Sequence, residues 1–120
     1  MRAGGDVEIR NRERDAHPFT TKDGSIIREY LHTDRQSLAE ASLAPGQSTR
    51  RHYHGRSQEI YLLLGGGGTL EVDGERATVA AGDAILIPAG AWHRLTAGDT
   101  GSRLLCCCVP AYSDDDTYFE

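Results

Sequence analysis

A chain of 120 residues is the size of one domain. Its formal net charge is −5, and its basic residues do not form a cluster of the kind that binds nucleic acid. It contains no apolar run near the roughly 20 residues needed to cross a bilayer. The charged N-terminus lacks the hydrophobic segment of a secretory signal. We therefore expect a cytoplasmic protein that contacts neither nucleic acid nor a membrane.

The first half of the chain is predicted to be a charged arm followed by short strands. Residues 1–17 show no periodicity, and we expect them to be mobile. Apolar residues alternate loosely over 19–31, and two further strands are predicted over 36–43 and 49–54. The near-continuous apolar run over 58–64 is typical of a strand that is covered on both faces.

The second half is punctuated by turn residues. The tetrad Gly65–Gly68 is predicted to be a hairpin loop, Asp73-Gly74 a two-residue hairpin turn, and Ala81–Asp83 a third turn. The intervening strands are predicted at 69–72, 75–80, 84–87 and 102–109. Short strands with glycine turns every 8–12 residues predict an all-β sandwich or antiparallel β-barrel.

Three histidines and a glutamate occur at spacings with a chemical meaning. His52 and His54 lie two apart, so both rings point to one face of a strand. After a short turn, Glu59 returns to the same side, and His93 must come from a more distant strand. Imidazole nitrogen and carboxylate oxygen suit divalent Fe, Mn, Co, Ni, Cu or Zn.

Both segments resemble the two sequence motifs of the cupin superfamily. The first motif, G-x5-H-x-H-x4-E, is matched without gaps, and so is G-x5-P-x-G-x2-H of the second; Ala97 replaces the final Asn of the family pattern. The matching residues are Gly46, His52, His54, Glu59, Gly82, Pro88, Gly90 and His93. The resemblance implies a jelly-roll-like cupin barrel over residues 18–112, between the arm and a C-terminal tail over 113–120. It also implies one divalent ion bound by the three histidines and Glu59.

Strand alternation predicts which further side chains point into such a barrel. If His52 and His54 point inward, then so does Arg50, unless a bulge intervenes. Arg50 would then orient an acidic substrate, or it lies at the barrel rim in water. Tyr61 and Leu63 share a face with Glu59, so the Tyr61 hydroxyl is a second candidate catalytic group, or Tyr61 is a core residue.

Cysteine occurs only as the run Cys106, Cys107 and Cys108. Adjacent cysteines rarely form disulfides, which favours free thiols in a reducing compartment. The run is either a buried strand that uses cysteine as a small apolar residue, or a strand with one face, formed by Cys106 and Cys108, that lines the pocket. A thiolate in the pocket would be reactive. The Asp114–Asp116 run is expected to be a solvated tail.

Four protein ligands would leave an octahedral ion two open positions, which is typical of a catalytic metal. We therefore expect an enzyme that acts on a small molecule, with oxygenase or oxidase chemistry first. Lewis-acid isomerisation, decarboxylation or polyketide-type cyclisation is the alternative. A non-catalytic metal- or ligand-binding module is a hypothesis of another class. The short chain also favours a homodimer.

Overall fold

The computed structural model describes residues 7–120, which are almost entirely antiparallel β-strand. The predicted fold class is therefore confirmed. No helix in this part of the chain is long and apolar enough to cross a membrane. The elements are β1 (Phe19–Thr20), β2 (Ile26–His32), β3 (Ser37–Leu43), β4 (His52–His54), β5 (Gln58–Val72), β6 (Glu75–Ala80), β7 (Ala84–Ile87), β8 (His93–Val109), a 3-10 turn (Asp114–Asp116) and β9 (Thr117–Phe119).

Two long strands curl the sheet around a central cavity. The first half of β5 pairs with β7 and with the end of β8, whereas its second half pairs with β6 and with the start of β8. Strand β8 also pairs with β3 and β4, and β4 pairs with β9. Because β5 and β8 bend, one continuous antiparallel sheet forms a half-barrel.

The glycine tetrad is not a hairpin loop, because Gly65–Gly68 lie within β5. Their absent side chains let neighbouring strands approach closely: a Cβ on Gly66 would lie 2.0 Å from the Gly101 carbonyl oxygen, and one on Gly68 would lie 2.0 Å from that of Thr96. The pairing register with β8 shifts twice in this stretch. The glycines therefore bend the strand, as at a β-bulge.

The other two turns lie where the sequence predicted them. Asp73 and Gly74 connect β5 to β6 with φ angles of 48° and 85°, the left-handed pair of a type I′ hairpin. Gly82, with φ 95°, lies in the turn between β6 and β7. Both turns were predictable because they depend on local backbone conformation.

Side chains on β5 alternate between the inside of the half-barrel and its outer face. Glu59, Tyr61 and Leu63 are buried, as strand alternation predicted, whereas the intervening Ile60 and Leu62 are 47% and 37% exposed. The apolar run is thus not covered on both faces within one chain. Leu63 packs in the core with other apolar residues: Leu43, Leu70, Val79, Leu95 and Leu104.

The C-terminal residues are part of the sheet rather than a solvated tail. Strand β9 pairs with β4, so that Phe119 lies opposite His52 and Thr117 opposite His54. Asp116 is buried because its carboxylate accepts hydrogen bonds from the backbone N–H groups of Arg56 and Ser57. The sequence could not reveal this role, since these partners lie about sixty positions away.

The second half of the predicted arm is bound to the sheet. Arg12 pairs with Glu40 at 3.1 Å, and Glu40 is also paired with Arg103 at 3.0 Å. Arg28 donates hydrogen bonds to the carbonyl oxygens of Arg12 and Ala16. These contacts argue against a mobile segment over residues 11–16. Residues 1–6 of the predicted arm lie outside the described residues.

Candidate metal centre

The structure brings the four candidate ligands together inside the half-barrel. His52 and His54 come from β4, Glu59 from β5 and His93 from β8, and each is at most 5% exposed. One potential ligand atom from each histidine lies within 4.8 Å of the others. The Oε1 atom of Glu59 lies 3.4 Å from His54 Nε2 and 3.5 Å from His93 Nε2.

Local backbone structure explains this convergence. Strand β4 contains both histidines at positions i and i+2, which directs them to one side. His52 pairs directly with His93 across β4 and β8. Gly90, with φ 81°, donates its N–H to the His54 carbonyl oxygen at 2.7 Å and so ties the turn before β8 to β4.

Each imidazole is oriented by a hydrogen bond at its Nδ1 atom. His52 Nδ1 lies 2.7 Å from the Arg50 carbonyl oxygen, and His93 Nδ1 lies 2.9 Å from that of Ala91. Carbonyl oxygens only accept, so these nitrogens carry hydrogen, which leaves Nε2 as the atom that can bind a metal once it has lost its own hydrogen. His54 Nδ1 lies 3.0 Å from the Thr117 hydroxyl oxygen. This arrangement is typical of metal-binding histidines.

The four candidate ligands fit a cation because their electron-rich atoms would otherwise face each other with no positive charge between them. Glu59 Oε1 and His93 Nε2 are buried, and neither has a hydrogen-bond partner within residues 7–120. A carboxylate oxygen and an imidazole lone pair at 3.5 Å repel one another unless positive charge lies between them. A divalent ion that prefers nitrogen and oxygen ligands would supply that charge.

Protonation is also compatible with metal binding. Burial, followed by the neighbouring His93, lowers the pKa of His52 to about 4, so its ring is neutral at pH 7. Burial opposes ionisation of Glu59, but His54 and His93, when they donate from Nε2, outweigh it and hold the pKa of that carboxyl well below its usual range; a metal ion would take the place of those hydrogens. The neutral imidazole and the charged carboxylate are the forms that bind a metal.

A cavity of about 410 Å³ is lined by His52, His54 and Glu59, whereas His93 is fully buried and does not line it. Its inner wall includes Tyr61, Ala41, Leu104, Cys106 and Cys108. Tyr61 therefore lies where it was predicted, with its ring centroid 6.1 Å from that of His93. Burial raises the pKa of Tyr61 well above its ordinary value, so its hydroxyl remains a neutral donor.

A sequence profile described as "Cupin domain" matches residues 39–108, a range that contains all four candidate ligands. The chain belongs to the cupin family. An uncharacterized protein of Methanocaldococcus jannaschii is 44% identical over 106 residues, which are 83% of this chain and 85% of that protein.

Two further proteins that are similar to this chain are enzymes. Gentisate 1,2 dioxygenase 1 of Aquipseudomonas alcaligenes is 39% identical over 51 residues, which are 42% of this chain and 15% of the dioxygenase. A Streptomyces PAC13 structure with uridine superposes with a TM-score of 0.82 at 18% identity, over 96% of this chain and 92% of that one. Pac13 is a nucleoside dehydratase. At that identity the likeness shows the fold alone.

Arg50 does not point into the cavity of this cupin. Its side chain is exposed, and its guanidinium carbon lies 4.3 Å from the centre of the Phe119 ring. The expected alternation fails because β4 begins only at His52, so Arg50 precedes the regular strand. Thr49 is buried instead and lines the cavity. Arg50 is therefore exposed to solvent, as in the alternative drawn from the sequence, and it does not line the cavity.

Two of the three cysteines line the cavity, as alternation along β8 allows. Cys106 and Cys108 face inward, whereas Cys107 borders a shallow pocket on the other side of the sheet. All three are free. Burial raises the pKa of Cys106 and Cys108 well above the ordinary thiol value, so neither is a reactive thiolate at neutral pH. The Cys108 thiol donates a hydrogen bond to Glu59 Oε2 at 3.3 Å.

Sequence reasoning predicted Leu63 in the wall of the cavity and missed Lys22 and Asp114 at its mouth. Leu63 is fully buried in the core and does not contact the cavity. Lys22 and Asp114 border the mouth 3.9 Å apart, and Tyr112 donates to Asp114 at 2.9 Å. They come from the segments before β2 and after β8, and no local pattern in the sequence connects those segments.

Proposed function

We propose that this cupin is a metal-dependent enzyme that acts on a small molecule, with oxygenase or oxidase chemistry at a centre formed by His52, His54, Glu59 and His93. The observation that carries the proposal is the buried convergence of three imidazoles and one carboxylate beside an open cavity. When bound, a divalent ion there supplies Lewis acidity and, if redox-active, a site for O₂. The similarity to a gentisate dioxygenase supports this class of reaction.

The chain's own residues have separate roles in this proposal. The three histidines, each fixed by a hydrogen bond at Nδ1, would hold the ion through Nε2, and Glu59 adds negative charge. The Tyr61 hydroxyl stays protonated and can donate a hydrogen bond to a substrate oxygen. The apolar wall formed by residues such as Ala41 and Leu104 excludes water from the reacting groups.

Charges around the cavity favour an uncharged substrate. Asp23, Glu29 and Asp114 line the cavity in addition to Glu59, and Lys22 is the one lysine or arginine among the lining residues within the described chain. A divalent ion would not make such a cavity positive overall, and Arg50 points away from it. Neutral molecules that chelate through two oxygens, such as diketones or catechols, therefore fit better than carboxylates.

Redox-neutral Lewis-acid chemistry is the second candidate, and a nucleoside dehydratase is one enzyme with this fold. Dehydration, isomerisation or cyclisation would use the same four ligands and the same Tyr61 donor. A third possibility, a non-catalytic binding module, requires only the cavity. The three free cysteines support a cytoplasmic location, and exposed apolar side chains on the outer sheet face support a homodimer.

One experiment separates these candidates. Protein purified without added metal is analysed for metal content and then tested with uncharged diketones and catechols, both in air and without oxygen. Oxygen uptake coupled to substrate loss supports the oxygenase, and turnover without oxygen supports the Lewis-acid enzyme. Binding without turnover supports the module. His52→Ala should abolish metal binding and turnover, whereas His17→Ala, which changes an exposed histidine, should preserve both.

A further inference from the structure

His54 differs from the other two histidines in what orients its ring. His52 and His93 are each held by a backbone carbonyl two residues earlier in the chain. His54 is held by a side chain from the other end of the sequence, with Nδ1 3.0 Å from the hydroxyl oxygen of Thr117. The third imidazole therefore depends on a residue outside both cupin motifs.

The direction of this hydrogen bond follows from a second contact. The Thr117 hydroxyl lies 2.8 Å from the Ser113 carbonyl oxygen, which can only accept, so the hydroxyl hydrogen is donated there. The oxygen of Thr117 is then left to accept from His54. Because an acceptor at Nδ1 requires hydrogen on that nitrogen, Nε2 is the nitrogen that lacks hydrogen when the His54 ring is neutral, and it lies 3.4 Å from Glu59 Oε1.

The backbone around Thr117 holds this acceptor in place. Thr117 pairs directly with His54 between β9 and β4. The preceding residue, Asp116, binds the chain just after β4: its carbonyl oxygen accepts from Gly55 N at 3.0 Å, and its carboxylate accepts from Arg56 N at 2.9 Å. Contacts on both sides therefore fix the position of the hydroxyl relative to the imidazole.

We propose that Thr117 is a positioning residue of the metal centre, which fixes the tautomer and ring orientation of His54 from the C-terminal strand. The inference rests on the proposed metal-binding function only for its consequence, which is that the site binds its metal more tightly. The tautomer itself is a property of the protein without metal. Partners of this kind typically contribute about 10- to 100-fold to metal affinity.

The test compares Thr117→Val, which keeps the shape but removes the acceptor, with Thr117→Ser, which keeps the hydroxyl. In metal-free protein, two-dimensional NMR that correlates imidazole ¹⁵N with ring protons reports the tautomer of His54. We expect hydrogen on Nδ1 in the wild type and in Thr117→Ser, and loss or mixing of that signal in Thr117→Val. Thr117→Ala gives the same comparison if the valine variant does not fold.

The second measurement is the dissociation constant for Mn²⁺ or Zn²⁺, obtained by competition with a chromophoric chelator. We expect Thr117→Val to weaken binding about 10- to 100-fold and Thr117→Ser to stay within about threefold of the wild type. An unchanged tautomer in Thr117→Val, or equal weakening by valine and serine, would overturn the inference. If the wild type binds neither metal, the proposed function fails, and the NMR result alone decides the role of Thr117.

Discussion

At the scale of single residues, the two oxygens of the Glu59 carboxylate face different partners. Oε1 points to the Nε2 atoms of His54 and His93, and Oε2 accepts a hydrogen bond from the Cys108 thiol. Cys108 is buried and protonated, so it can only stabilise the carboxylate as a donor. Its contact fixes which oxygen faces the histidines.

Replacing Cys108 by Val removes this donor at nearly constant volume. We expect Cys108→Val to weaken metal binding by about tenfold, because the freed carboxylate can rotate away from the histidines. Cys106→Val is the matched control, since Cys106 lines the same cavity from the same strand face. Chelator competition measures both constants. Equal affinities for the two variants would show that the thiol does not position Glu59.

The depressed pKa of His52 makes the stability of the metal-free protein depend on pH. The unfolded chain takes up a proton on this residue below about pH 6.5, whereas the folded protein does so only near the pKa of about 4. Because the unfolded state then binds more protons, the free energy of unfolding falls as the pH decreases through this window. The loss amounts to at most about 3 kcal/mol.

Urea denaturation at pH 7 and pH 4.5 measures this loss when it is repeated with His52→Gln. The wild type should lose more stability than the variant between these two values. The same loss in both proteins would contradict the assignment to His52.

At the scale of elements, the bend of β5 depends on glycines that allow β8 to approach. A Cβ on Gly68 would overlap the Thr96 carbonyl oxygen at 2.0 Å, whereas one on Gly65 would meet nothing within 4 Å. We therefore expect Gly68→Ala to lower the free energy of unfolding by about 3 kcal/mol or more. Gly65→Ala should change it by less than about 1 kcal/mol. Denaturant midpoints report the difference, and similar midpoints would refute this role of the tetrad.

Local patterns made the convergence of the four candidate ligands and the type of fold predictable. The spacing of His52 and His54 and the alternation over Glu59 and Tyr61 depend only on strand geometry, which the structure preserves. The predictions that were wrong concern features that depend on distant segments or on where a strand begins. Arg50 points outward because β4 starts after it. The glycine tetrad is explained by its contacts with Thr96 and Gly101 of β8, which are distant in the sequence.

The C-terminal strand shows the same limit. Its three consecutive aspartates looked like a solvated tail, because nothing in the local sequence indicates that Asp116 binds the backbone of Arg56 and Ser57. Thr117 likewise could not be assigned to His54 without the pairing of β9 with β4. Pairing between distant strands therefore determines which segments lie beside the site and which residues form hydrogen bonds with it.

At the scale of the whole molecule, one face of the sheet remains apolar and exposed. Ile60 lies directly opposite Leu86 on β7 and Cys107 on β8, and Leu38 of β3 continues the row beyond Cys107. Ile60 and Leu86 are 47% and 54% exposed. A contiguous apolar surface of this kind is typical of a protein interface, and a second copy of the chain is the occupant that we expect.

Light scattering tests this homodimer. The wild type at micromolar concentration should have about twice the chain mass of 13.1 kDa. Ile60→Lys places a charge in the centre of the apolar row and should give the monomer mass, whereas Thr78→Lys, on the exposed surface of β6, should remain dimeric. A monomeric wild type would remove the dimer without affecting the metal centre.

The claim that a single divalent ion joins His52, His54, Glu59 and His93 is tested most directly by anomalous X-ray diffraction. Crystals of the protein are stripped with a chelator, soaked in Mn²⁺ or Fe²⁺, and measured at the absorption edge of the metal. We predict one anomalous peak among the four side chains, in contact with all three Nε2 atoms and a Glu59 oxygen. A saturating soak that gives no peak there, or a peak elsewhere in the molecule, would contradict the account.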